Sequence, residues 1–174
     1  MAAEVHRLGR VVKLDKAADF VGRAALEDLD LVWYEEPVLA DDMAGCAEVA
    51  AKIRIPVATG ENHYTRWEFR DLLERRAARY LMPDVCRACG FSETLRIGRL
   101  AAAHQAAITP HLVHEISIQV VGALANGFLV EYMDWAPPDL FEALPPCEDG
   151  HIRIPDRPGH GMAFTREALE KYRC

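Results

Sequence analysis

The sequence predicts an α/β fold made of repeated strand–helix units around a parallel sheet. Two observations carry that prediction. Five short apolar runs each end in an acidic or imidazole residue: Asp30–Tyr34 before Glu35, Pro56–Gly60 before Glu61, Tyr80–Pro83 before Asp84, Ile108–Pro110 before His111, and Phe128–Val130 before Glu131. These polar residues recur at intervals of roughly 20–27 positions, which is the length of a strand plus its return helix. A parallel sheet buried on both faces reads as short continuous apolar runs, as these do. Strand ends of one sense converge at one mouth, so the polar ends mark where chemistry belongs.

Helical signals fill the gaps between the runs. Asp41 and Asp42 precede an Ala-rich segment, Met43–Lys52, and either can cap it. Thr65-Arg66-Trp67-Glu68 has capping-box spacing and opens a helix to about Ala78. Ser92 can cap Glu93–His104, which sets Leu95, Leu100 and Ala103 roughly on one face. Ile116–Ala125 is apolar and stops at Asn126-Gly127. The resulting order is β-α-β-α-β-α-β-α-β.

After Tyr132 the pattern changes. Pro137-Pro138 and Pro145-Pro146 interrupt any long helix. Residues 148–155 read as a turn into a short strand, and 156–162 as a loop. Thr165 caps a terminal helix to Tyr172. The expected organisation is an atypical segment over 1–13, a partial TIM-type (β/α) barrel over 14–132, and a tail over 133–174. A closed barrel of this kind needs eight strands and typically about 250 residues. With about five strands, the sheet is either open or part of something larger.

Composition narrows the function. The formal net charge of −7 argues against a nucleic-acid partner or an anionic membrane surface. It does not exclude an anionic substrate, because a bound cation reverses the local sign. No stretch approaches the ~20 apolar residues of a membrane span, and Met1–Arg10 lacks the apolar core of a secretory signal. Five scattered cysteines read as reduced thiols, which points to the cytoplasm. Cys86 and Cys89 form a single C-x-x-C pair and read as structural or incidental rather than as a zinc site. His111, His114 and Glu115 do not match H-E-x-x-H. Trp67, Trp135 and Phe141 read as packing residues.

Glu35, Glu61 and Asp84 close successive runs. Hard oxygen ligands from neighbouring strand ends suit Mg²⁺; taken singly, each also reads as a solvated loop acid. His111 follows on the next run, where Asp84 can fix its tautomer and raise its basicity. Alone, it also reads as an ordinary core or surface histidine.

Taken together, Trp33-Tyr34-Glu35-Glu36-Pro37, Thr59-Gly60-Glu61-Asn62, Leu81-Met82-Pro83-Asp84 with Gly90, Pro110-His111 with Glu115-Ile116-Ser117, and Phe128-Leu129-Val130-Glu131 resemble the C-terminal barrel of the enolase superfamily. Within it they are similar to the mandelate racemase subgroup and its acid-sugar dehydratases. Residues 150–161 resemble the tail that returns to that family's capping domain. The resemblance implies Mg²⁺ held by Glu35 and Glu61, His111 as general base or acid oriented by Asp84, and Glu131 hydrogen-bonded to an enediolate oxygen. His63 and Tyr64 would sit at the mouth and touch substrate. The implied reaction removes a proton α to a carboxylate. Dehydration of a hydroxy acid or acid sugar comes first, racemisation or epimerisation second. A non-catalytic remnant is a further alternative, and a metal-independent two-carboxylate hydrolase ranks below these.

The resemblance also breaks. The family's first metal ligand, an Asp-x-Asn segment, aligns with Gly9 and Val11, and Asp15 lies past the strand end. The upstream Lys-x-Lys base is absent. The expectation is a truncated or frame-shifted product whose open strand edges favour self-association into homo-oligomers.

Overall fold

A computed structural model describes residues 2–4 and 29–173. In chain order the elements are β1 (Ala2–Glu4), β2 (Tyr34–Glu35), α1 (Met43–Lys52), β3 (Val57–Thr59), α2 (Arg66–Glu74), β4 (Tyr80–Leu81), α3 (Phe91–Ala103), β5 (Ala107–Ile108), α4 (His114–Ala123), β6 (Cys147–Glu148), β7 (His151–Arg153) and α5 (Arg166–Lys171). The expectations for Gly9, Val11 and Asp15 lie outside the described residues, as does most of the 1–13 segment.

Strands β2, β3, β4 and β5 form a parallel sheet in sequential order, joined by α1, α2 and α3. This is a partial (β/α) barrel; the described residues do not close it. Successive side chains along a strand alternate between faces. Val57, Leu81 and Ile108 point toward the helices, where they meet Phe69, Leu72, Leu73, Ile97 and Ala101 in one apolar core. On the other face the register aligns Glu35 with Ala58, Ala58 with Tyr80, and Tyr80 with Ala107. Large and small side chains thus alternate across that row. Trp33 and Tyr80 approach across β3 with ring centroids 5.3 Å apart, and Tyr80 meets Phe128 at 5.5 Å. An interior layer filled from alternate strands has this form.

The fifth run lies beside β5, and among the described residues a single bridge, between Ile108 and Gly127, joins the two. Ile108 N–H donates to Asn126 O at 2.9 Å and Phe128 N–H to Ile108 O at 2.8 Å. Residue 110 should donate the next ladder bond. It is proline and has no N–H, so regular pairing stops there.

Helix limits follow local chemistry. The Asp42 side chain accepts from Gly45 N–H at 2.8 Å and caps α1 as expected. Glu68 accepts from the backbone N–H groups of Tyr64 and Thr65 at the start of α2. That helix ends at Glu74, short of Ala78, because Arg76 turns left-handed (φ 55°) and Ala77 N–H bonds back to Leu72 O. Gly90, not Ser92, caps α3. Its φ of 82° suits glycine, and Ser92 falls inside the first turn. Helix α4 begins and ends two residues earlier than the sequence suggests, because Leu112 and Val113 already turn left-handed after His111.

In the tail, Asp149 and Gly150 both have positive φ and form a tight turn between β6 and β7. Strand β1 pairs antiparallel with the other edge of β7. Ile152, fully buried, packs with Ile118, Val121 and Val130 and thereby seats the tail on α4. Thr165 caps α5 through Ala168 N–H, as predicted. Phe141 packs against Phe164, whereas Trp67 and Trp135 are exposed; Arg66 and Arg70 cover the Trp67 ring. Among the described residues four cysteines are free, and no helix is long and apolar enough to cross a membrane.

Candidate active site

The predicted polar residues follow the C-terminal ends of consecutive strands. Glu35 closes β2 and its carboxylate accepts from the Trp33 indole N–H at 3.0 Å. Gly60 and Glu61 follow β3. Gly60 has φ 135°, and a Cβ there would lie 2.7 Å from Phe69 Cε1 and 3.1 Å from Met82 N. Only glycine lets the chain turn against α2 at that point, and that turn presents Glu61.

Asp84 follows β4 and is 6% exposed. Its Oδ1 accepts from the N–H groups of Cys86 (2.7 Å) and Arg87 (3.2 Å). Its Oδ2 lies 3.1 Å from His111 Nδ1. His111, 7% exposed, presents Nε2 to Glu61 Oε2 at 3.4 Å and to Glu131 Oε2 at 4.0 Å. Glu131 is held in turn by Leu112 N–H at 2.8 Å. One imidazole therefore joins three strand ends, and a hydrogen donated from Nδ1 to Asp84 leaves the Nε2 lone pair toward the mouth.

Burial raises the Glu35 carboxyl above its ordinary 4.5; the Trp33 hydrogen bond opposes this, and the charges of Glu131, Glu61 and Glu36 add to it. Four carboxylates thus share one electrostatic environment. An acid with a raised folded value binds more protons folded than unfolded. Its contribution is best below the unfolded value and is lost as pH rises from 4.5 through the folded value. Glu35→Gln is expected to raise the metal-free unfolding midpoint at pH 7 by about 1–2 °C, a small shift because the group is partly solvated. A thermal melt series from pH 4 to 8 checks this; an unchanged profile contradicts it.

The structure corrects the reading of His63. It is 2% exposed and its ring packs against Phe69 at 5.8 Å between centroids, so it is buried rather than open to a substrate. Burial lowers its basicity. Tyr64 is half exposed beside it. Two residues were missed. Glu36, with positive φ, accepts from Thr59 Oγ1 (3.1 Å) and Asn62 Nδ2 (3.3 Å). Arg87 donates to Glu61 O at 2.8 Å. The signal for Glu36 was its place beside Glu35; for Arg87 it was a cation three residues after Asp84. His114 is buried against Tyr132 and is a packing residue.

Residues 9–168 match the family described as Enolase C-terminal domain-like. The chain belongs to that family. Among curated relatives of this enolase-type domain, it is 35% identical over 140 residues to L-talarate/galactarate dehydratase of Salmonella typhimurium, covering 80% of this chain and 34% of that protein. It is 32% identical over 157 residues to arabinonate dehydratase of Saccharolobus solfataricus, covering 86% and 42%. Among solved structures, L-talarate dehydratase of Polaromonas sp. JS666, complexed with Mg and L-glucarate, superposes with TM-score 0.79 at 34% identity, over 84% of this chain and 41% of that one. An enolase from Bradyrhizobium, complexed with magnesium and mandelic acid, gives 0.79 at 29% identity, over 86% and 41%. The chain spans less than half the length of the curated relatives it matches.

Proposed function

We propose that this chain carries the acid–base part of a Mg²⁺-dependent dehydratase acting on a hydroxy-acid or acid-sugar carboxylate. One observation carries the reading: His111 is bound by Asp84 through Nδ1 and meets Glu61 and Glu131 through Nε2, each residue from a different strand end. The donor set fits Mg²⁺ in kind. Glu35 and Glu61 are hard oxygen donors within a group of like charges that a cation would relieve. Among the described residues no three His, Cys, Asp or Glu side chains form a metal cage; the two ligands assigned among them are Glu35 and Glu61. Mg²⁺ held there would neutralise the charge that builds on the substrate carboxylate.

The remaining steps are two proton transfers and the loss of water. The proton α to the carboxylate leaves to a base, and its electron pair becomes a C=C bond. The β-hydroxyl departs as water with a proton from an acid, and the enol becomes a 2-keto acid. His111 is placed to move one of these protons, and Glu131 to hydrogen-bond a substrate oxygen. Relatives named as dehydratases of sugar acids support dehydration over racemisation.

Incubation with Mg²⁺ and aldonic or aldaric acids in deuterated water, followed by proton NMR, tests the proposal. Formation of a 2-keto acid, abolished by EDTA, is the expected result. Deuterium entry without water loss would move the reading to racemisation. Neither exchange nor product would leave a fold without this chemistry.

A further inference from the structure

Arg87 lies in the loop between β4 and α3, yet its side chain reaches back to the end of β3. Its Nη1 donates to Glu61 O at 2.8 Å and to Asn62 Oδ1 at 3.2 Å. Its Nε lies 3.6 Å from Asp84 Oδ2, the same oxygen that pairs with His111 Nδ1. One guanidinium therefore spans from the carbonyl of Glu61 to the carboxylate that orients the imidazole.

We propose that Arg87 is a positioning residue that fixes the Glu61 strand end against the Asp84–His111 pair. The inference rests on the function proposed above and adds to it the group that sets the spacing between a metal-binding carboxylate and the acid–base histidine. The guanidinium is 37% exposed and its approach to Asp84 is loose, so its charge alone is worth little. Its value is geometric. A planar fork makes several bonds in fixed directions, whereas a lysine ammonium is a single point on a flexible stem. The Arg87 backbone N–H adds to the grip by donating to Asp84 Oδ1, a bond whose donor is kept when methionine or lysine replaces the arginine.

Arg87→Met and Arg87→Lys separate geometry from charge. The deciding readout is the long-range ¹H–¹⁵N spectrum of the His111 ring, whose pattern reports which nitrogen holds the proton and needs no turnover. Both variants are expected to lose the single Nδ1–H pattern of the parent and average between tautomers. Mg²⁺ affinity by calorimetry is expected to fall about tenfold in both, as for other groups that orient metal ligands. A parental ring pattern in Arg87→Met overturns the proposal, as does its full restoration by lysine. Should the parent chain bind no Mg²⁺, the proposed function fails while the ring pattern still decides the role of Arg87.

Discussion

His111→Asn is expected to lower Mg²⁺-dependent α-proton exchange by about 10²–10⁴-fold, the usual worth of a positioned acid or base. Asparagine keeps a polar side chain of similar reach but cannot take up the substrate proton. The imidazole is buried and held by Asp84 at one nitrogen, with Glu61 and Glu131 facing the other. Asp84→Asn would reach the chemistry through the ring it orients, so its loss should be smaller and should come from the wrong tautomer. Exchange measured by NMR in deuterated water at fixed Mg²⁺ separates the two. Parental exchange in His111→Asn would move the chemistry to another group.

Phe69→Ala is expected to cost about 3–5 kcal/mol of stability, the range for emptying a fully buried aromatic site. Phe69 is fully buried between α2 and the sheet and packs with Leu72, Leu73 and Val57. It also contacts the chain at Gly60, the residue that presents Glu61. The cavity would therefore open directly beneath the mouth. Against a usual total of about 5–15 kcal/mol, that loss leaves a marginal domain. Urea unfolding should show a lower midpoint with an unchanged slope, and Mg²⁺ affinity should weaken in the same protein. A midpoint within experimental scatter of the parent would show that Phe69 is not the keystone of this core.

The strand ends and the first helix were legible in the sequence because their signals are local. An apolar run ending in a carboxylate, or Asp42 followed by alanines, carries its own geometry. What escaped depends on partners far along the chain. The Phe128–Val130 run lies beside β5 as read, but its pairing stops because proline occupies position 110 on the neighbouring strand. Gly90 displaced Ser92 as a cap because the loop from Asp84 must turn with positive φ before α3 begins. His63 read as a mouth residue by its spacing after Glu61, yet the turn at Gly60 points it back onto Phe69. Arg87 could not be assigned from spacing, since its chief partner is a carbonyl on another strand.

The Trp33–Glu35 hydrogen bond has an optical consequence. An indole whose N–H is committed to a carboxylate emits according to the field that carboxylate creates. A cation arriving at Glu35 changes the field of a carboxylate that lies 3.0 Å from the Trp33 indole nitrogen, whereas Trp67 and Trp135 are largely exposed. The chain thus contains its own label, and the emission of Trp33 can follow occupancy of the mouth without a substrate or an added probe.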